Sequence, residues 1–150
     1  MYSKDELKQL TTEFWTTFGQ FSQLKRSKLK QPKKWMLYQT GIKGLVLKFE
    51  QIDQASRTLI EIELSQVRSE LYINRMAKLV NSIQQPKGFD AILFSQKSED
   101  QTYRYFFEMQ GQTLKNKMHW PEIFRFFFEH MLVLEHFVIQ HKDEICPECD

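Results

Sequence analysis

The sequence predicts an α+β fold: an N-terminal helix, then two strand–strand–helix units, giving a four-stranded antiparallel sheet with helices packed mainly on one face. Three observations carry this. Apolar residues recur every three to four positions near the N-terminus, then every second position over two later stretches, each followed by helical spacing. The last long segment, from Trp120, is apolar in nearly every direction around a helix axis, so it must be covered on more than one side. With 150 residues, 13 of them Phe, the chain is long enough to bury a ring-rich core as one domain. Residues 1–143 are assigned to that domain and 144–150 to a flexible tail.

Each element has a local cause. Ser3-Lys4-Asp5-Glu6 has the form of a capping box, and Leu7, Leu10, Phe14, Phe18 and Phe21 then share one helix face, which fades after Leu24. Lys25 to Lys34 forms a basic connector closed by Pro32, and burial restarts at Trp35-Met36-Leu37-Tyr38. Leu45, Leu47 and Phe49 alternate with polar or outer residues, as do Ile60, Ile62 and Leu64. With Asp53-Gln54-Ala55-Ser56 as the turn, Phe49 faces Ile60, and Lys48 faces Glu61 on the outer side. Tyr72, Met76, Leu79, Val80 and Ile83 form the buried face of a second helix, ending near Pro86-Lys87-Gly88. Strands over Phe89–Lys97 and Thr102–Gln110 flank a turn at Ser98-Glu99-Asp100-Gln101, so that Phe94 faces Tyr105 and Ile92 faces Phe107. Pro121 suits the first turn of the final helix, with Glu122 favoured near its positive end.

Charge excludes some functions and suggests others. Between Phe14 and Phe49 lie eight basic residues and no acid, leaving 13 of the 21 basic residues against all 19 acidic ones elsewhere. One end of the molecule is therefore basic, although the net charge is only +2. The polar start lacks a signal-peptide pattern, and Arg125, Glu129, His130, Glu135 and His136 interrupt the last apolar segment, so no membrane association is expected. Two late cysteines make no disulfide framework, and a cytoplasmic location is the expectation.

The run Trp35-Met36-Leu37-Tyr38-Gln39-Thr40-Gly41-Ile42-Lys43-Gly44, the hairpin after it, and His119-Trp120-Pro121-Glu122-Ile123-Phe124 resemble the bacterial family catalogued as domain of unknown function 4268. The resemblance covers Leu7 to about Asp143. It implies a small α+β domain that stands alone in some members and follows nuclease-like domains in others. That company hints at nucleic-acid metabolism and carries over no catalytic residue.

The leading candidate site is the basic connector: Lys25, Arg26, Lys28, Lys30, Lys33 and Lys34 beside Trp35 and Tyr38. Phosphates need positive charge and exposed bases stack on rings. Lysine dominates, which suits diffuse phosphate attraction rather than base-edge reading by arginine. The expected function is a nonenzymatic binding or accessory module that meets nucleic acid or another acidic partner. The alternative is a structural or homodimeric interaction domain, with Phe124, Phe127, Phe128 and Met131 as dimer contacts if the last helix is not central. A divergent metal-dependent nuclease would draw on Glu61, Glu63 and Asp90, but Glu61-Ile62-Glu63 lacks the lysine of the usual Glu-x-Lys pattern. His136, His141, Cys146 and Cys149 supply half a zinc motif only. His119 reads as part of a helix start, and Gly41-Ile42-Lys43-Gly44 lacks the ending of a phosphate loop. No catalytic, cofactor or metal residue is assigned.

Overall fold

A computed structural model describes residues 2–32 and 34–149. The elements follow the order α1 (Lys4–Lys28), β1 (Leu45–Ile52), β2 (Ala55–Glu63), α2 (Ser69–Leu79), β3 (Leu93–Ser98), β4 (Thr102–Gln110) and α3 (Trp120–Ile145). The strands form one antiparallel sheet in the order β1-β2-β4-β3. The predicted α+β class and element order stand.

Helix α1 starts at the expected box: Glu6 N–H donates to the Ser3 hydroxyl, and Ser3 N–H donates to the Glu6 carboxylate, both at 3.1 Å. It runs four residues beyond Leu24 because of how it ends. Lys30 takes a left-handed φ of 57°, Lys30 N–H donates to Ser27 O, and Gln31 N–H donates to Arg26 O. This is a Schellman closure with lysine where glycine is usual. No glycine advertises the stop.

Both hairpins close more tightly than the pattern suggests. Ile52 pairs with Ala55 across a two-residue loop whose Asp53 has φ 53°, so Leu47 faces Ile60 and Phe49 faces Thr58. The register is shifted by two from expectation, which preserves the faces. The second loop has three residues, with Gln101 left-handed at φ 64°. Phe94 therefore pairs with Phe106, not Tyr105, and Leu93 takes the place beside Phe107 expected of Ile92. A one-residue slip moves every β3 side chain to the other face. It puts Phe94 on the uncovered side, 43% exposed and stacked on Phe106 at 5.5 Å.

All three helices pack on the opposite face, and α3 is the central one, touching α1, α2, β1 and β2. This accounts for its all-round apolar character. Phe14 and Phe18 of α1 meet Phe124 and Phe127, while Phe49 of β1 meets Phe127 at 5.1 Å. Only a stripe through Glu122, Arg125, His136 and Gln140 is exposed. Phe124, Phe127, Phe128 and Met131, the sequence candidates for a dimer contact, lie buried in the chain's own core. The reason is geometric: a helix flanked by two others over a sheet has those positions facing inward. They form no surface patch.

The segment expected to trail from residue 144 is also packed. Ile145 and Cys146 are buried, Arg75 donates to Ile145 O at 2.8 Å, and Glu148 is paired with Arg68. Cys146 is disulfide-bonded to Cys149, and its sulfur lies 3.6 Å from the Tyr72 hydroxyl.

His130 shows what the ring-rich core demands of a polar group. It is fully buried among Phe89, Phe107 and Phe126, with centroids 4.4–4.8 Å away. Its Nδ1–H donates to Phe126 O, and Nε2 has no partner among the described residues. Burial pushes its pKa down to about 4, the hydrogen bond to Phe126 opposing that shift. The neutral ring is the folded form. Stability tied to it is intact above pH ~6.5 and is lost as pH falls toward ~4, because the unfolded chain takes up the proton first. The loss is about 3 kcal/mol across that window. Urea unfolding at pH 7 and pH 4.5 should therefore show a larger drop for the wild type than for His130→Leu.

Candidate functional site

The basic segment is built from the end of α1 and the return of the chain toward β1. Its members divide into two groups. Arg26 is fully buried, and its Nη2 donates to Glu135 of α3 at 3.0 Å. Its Nε donates to Pro32 O, and its guanidinium carbon lies 4.1 Å from the centre of the Trp35 ring. Glu135 uses its other oxygen to accept Met36 N–H at 2.9 Å. One ion pair thus ties α1, the connector and α3 together. Lys25 lies 3.9 Å from Glu129 and over the Phe21 and Phe128 rings, at 5.3 and 5.4 Å. Trp35 is half-buried, edge-on to Phe49 and Phe128. These three side chains hold the segment in shape.

Lys28, Lys30 and Lys34 form the second group. They are exposed and make no ion pair among the described residues. Tyr38 stands 70% exposed beside them in the chain. Lys33, also a sequence candidate, falls outside the described residues. Of the eight predicted positions, the structure therefore brings out Lys28, Lys30, Lys34 and Tyr38 toward solvent and turns Arg26 inward.

The segment borders two adjoining depressions along the β1 edge. One, of about 390 Å³, lies between α1 and residues 34–37 and is lined by Phe18, Gly19, Ser22, Trp35 and Phe49, with Gln23 and Lys34 also on its wall. The other, of about 450 Å³, is lined by Trp15, Tyr38, Leu47 and Lys48. Leu37 and Phe49 belong to both, so the two form one groove. Sequence reading missed this groove, because Ser22 and Gly19 carry no motif. Their signal is small residues interrupting an otherwise bulky helix face.

The remaining candidates do not converge. Glu61 lies on the outer sheet face between Lys48 and Arg104, each at 2.8 Å. The cross-strand Lys48–Glu61 contact thus forms despite the register shift, as a diagonal pair. Glu63 accepts from Ser65 and Gln66, which hold its carboxyl below the ordinary glutamate range. Asp90 lies in the loop before β3. His141 contacts Glu144 at 2.8 Å, and His119 Nδ1 accepts Thr113 N–H. Among the described residues, no group of three or more His, Cys, Asp or Glu side chains is placed to hold a metal ion.

A family model described as Domain of unknown function (DUF4268) matches residues 10–142. The chain belongs to the DUF4268 family. No curated protein and no solved structure matches this DUF4268 chain. The match takes in α1 after its first turns, the basic segment, the whole sheet and nearly all of α3. The arginine–glutamate node and the groove both fall within it. No helix among the described residues of the DUF4268 domain is long and apolar enough to cross a membrane.

Proposed function

We propose that this domain is a nonenzymatic binding module that meets nucleic acid through the basic segment. The observation that carries the reading is the division of labour among its cations. Arg26 and Lys25 are used internally, whereas Lys28, Lys30 and Lys34 are exposed without acidic partners among the described residues, and Tyr38, a few residues along the chain, is exposed as well. Unpaired lysines held on a rigid turn are free to neutralise phosphates, and ring faces accept bases irrespective of sequence. Glu61, in contrast, is neutralised by two cations, which suits a structural ladder better than a metal site.

The test is the salt dependence of binding to labelled oligonucleotides, followed by fluorescence anisotropy. Changing Lys28, Lys30 and Lys34 together to Gln should weaken binding and lower the slope of log affinity against log salt by about 2, at ~0.7 per single-strand phosphate contact. An unchanged slope would contradict the assignment. A second reading, a protein-interaction domain, is favoured by Ile92 and Phe94, which are 67% and 43% exposed beside the β3 edge. That reading now rests on the uncovered sheet face and no longer on α3.

A further inference from the structure

We propose that the cavity between α1 and residues 34–37 receives one unstacked base of a single-stranded nucleic acid, with Tyr38 as the platform for the next. This rests on the reading of Lys28, Lys30 and Lys34 as phosphate contacts. The cavity's 390 Å³ falls within the ~300–1,000 Å³ typical of small-molecule sites. Its walls are Phe18, Trp35, Leu37 and Phe49, an apolar setting suited to a flat ring and hostile to a bare phosphate. Ser22 supplies the polar contact. It is 3% exposed and lines the cavity. The serine can donate to or accept from a base edge, and Gln23 and Lys34 on the same wall are exposed for the sugar and phosphate.

Two further features fit the same occupant. Trp35, whose ring lines the cavity, has its Nε1 buried with no acceptor among the described residues. Gly19 sits inside a 25-residue helix, where glycine is poorly favoured, yet a Cβ there would meet nothing within 4 Å. Packing does not require the glycine, and a side chain at this place would project into the groove. The groove then continues past Leu37 and Phe49 to Tyr38 and Lys48, a path for the following nucleotide. A stacked duplex cannot present a base to such a cavity, so the occupant is single-stranded.

The experiment compares anisotropy of a labelled oligothymidylate, an oligouridylate and a duplex of equal length against wild type, Gly19→Phe and Gly19→Ala. Circular dichroism checks that each variant keeps its helices. Expected is single-strand binding at least tenfold tighter than duplex binding, weakened about tenfold by Gly19→Phe, the worth of one stacked base, and untouched by Gly19→Ala. Equal affinity for single strand and duplex, or indifference to Gly19→Phe, would overturn the cavity assignment while leaving the basic segment as a phosphate contact. No binding of any probe at low salt would overturn both.

Discussion

Replacing Glu135 by Gln should destabilise the fold by about 3–5 kcal/mol, because it leaves the Arg26 charge buried with no counter-charge. Glu135 accepts from two donors, Arg26 Nη2 and Met36 N–H, one on each oxygen. A glutamine has a single acceptor oxygen, so one donor must face an amide NH₂. Arg26 is 0% exposed, and its Nη1 already lacks a partner among the described residues, so water cannot relieve the loss. For a domain whose total stability is ~5–15 kcal/mol this is a large fraction. Removing both charges, in Arg26→Met with Glu135→Leu, should cost less than the two single changes combined, since no charge is stranded. Urea unfolding of the four forms measures this. The effect should also be local. The ion pair pins the connector at Pro32 and Met36, so limited trypsin digestion after Lys28, Lys30 or Lys34 should accelerate in Glu135→Gln under native conditions.

Phe127→Ala should cost a similar 3–5 kcal/mol, the range for removing a buried ring. Phe127 is fully buried and touches three rings from two elements, α1 and β1: Trp15 stacked at 5.7 Å, Phe18 at 5.5 Å and Phe49 at 5.1 Å. The facing groups belong to a helix and a strand edge that cannot both move inward, so the cavity stays open. Thermal unfolding should fall by roughly 10 °C. Since Phe127 is core and not contact surface, sedimentation of the folded variant should give the same mass as wild type. A mass change with little loss of stability would return the helix to the dimer-contact role.

Much of this fold is legible in the sequence, and the reasons are specific. The Ser3–Glu6 box, the alternation through Leu45–Phe49 and Ile60–Ile62, and the all-round apolar α3 are local patterns with one physical solution each. Loop lengths are less legible. Asp53, Gln101 and Lys30 take left-handed φ without being glycine, so both hairpin turns and the α1 stop lack their usual marks. For the first hairpin the error of two residues kept the faces. For the second, the error of one reversed them and hid the exposure of Phe94.

The candidate site was legible as charge and not as arrangement. The lysine-rich run is visible in sequence, but nothing local separates Arg26 from its neighbours. Its partner is Glu135, 109 residues away. An acid inside an otherwise apolar helix was the available clue, because such a residue, once buried, needs a cation. The groove depends on Gly19, Ser22 and the Trp35–Tyr38 return meeting in space, which only the packing of α1 against β1 reveals.

The most direct measurement is an NMR titration of the labelled protein with a short single-stranded oligonucleotide at low salt, repeated at near-physiological salt. The account predicts amide shifts concentrated at Lys28, Lys30, Lys34 and Tyr38, extending to Gly19 and Ser22, and shrinking as salt rises. Shifts confined to Ile92, Phe94 and the outer sheet face, or none at low salt, would contradict it.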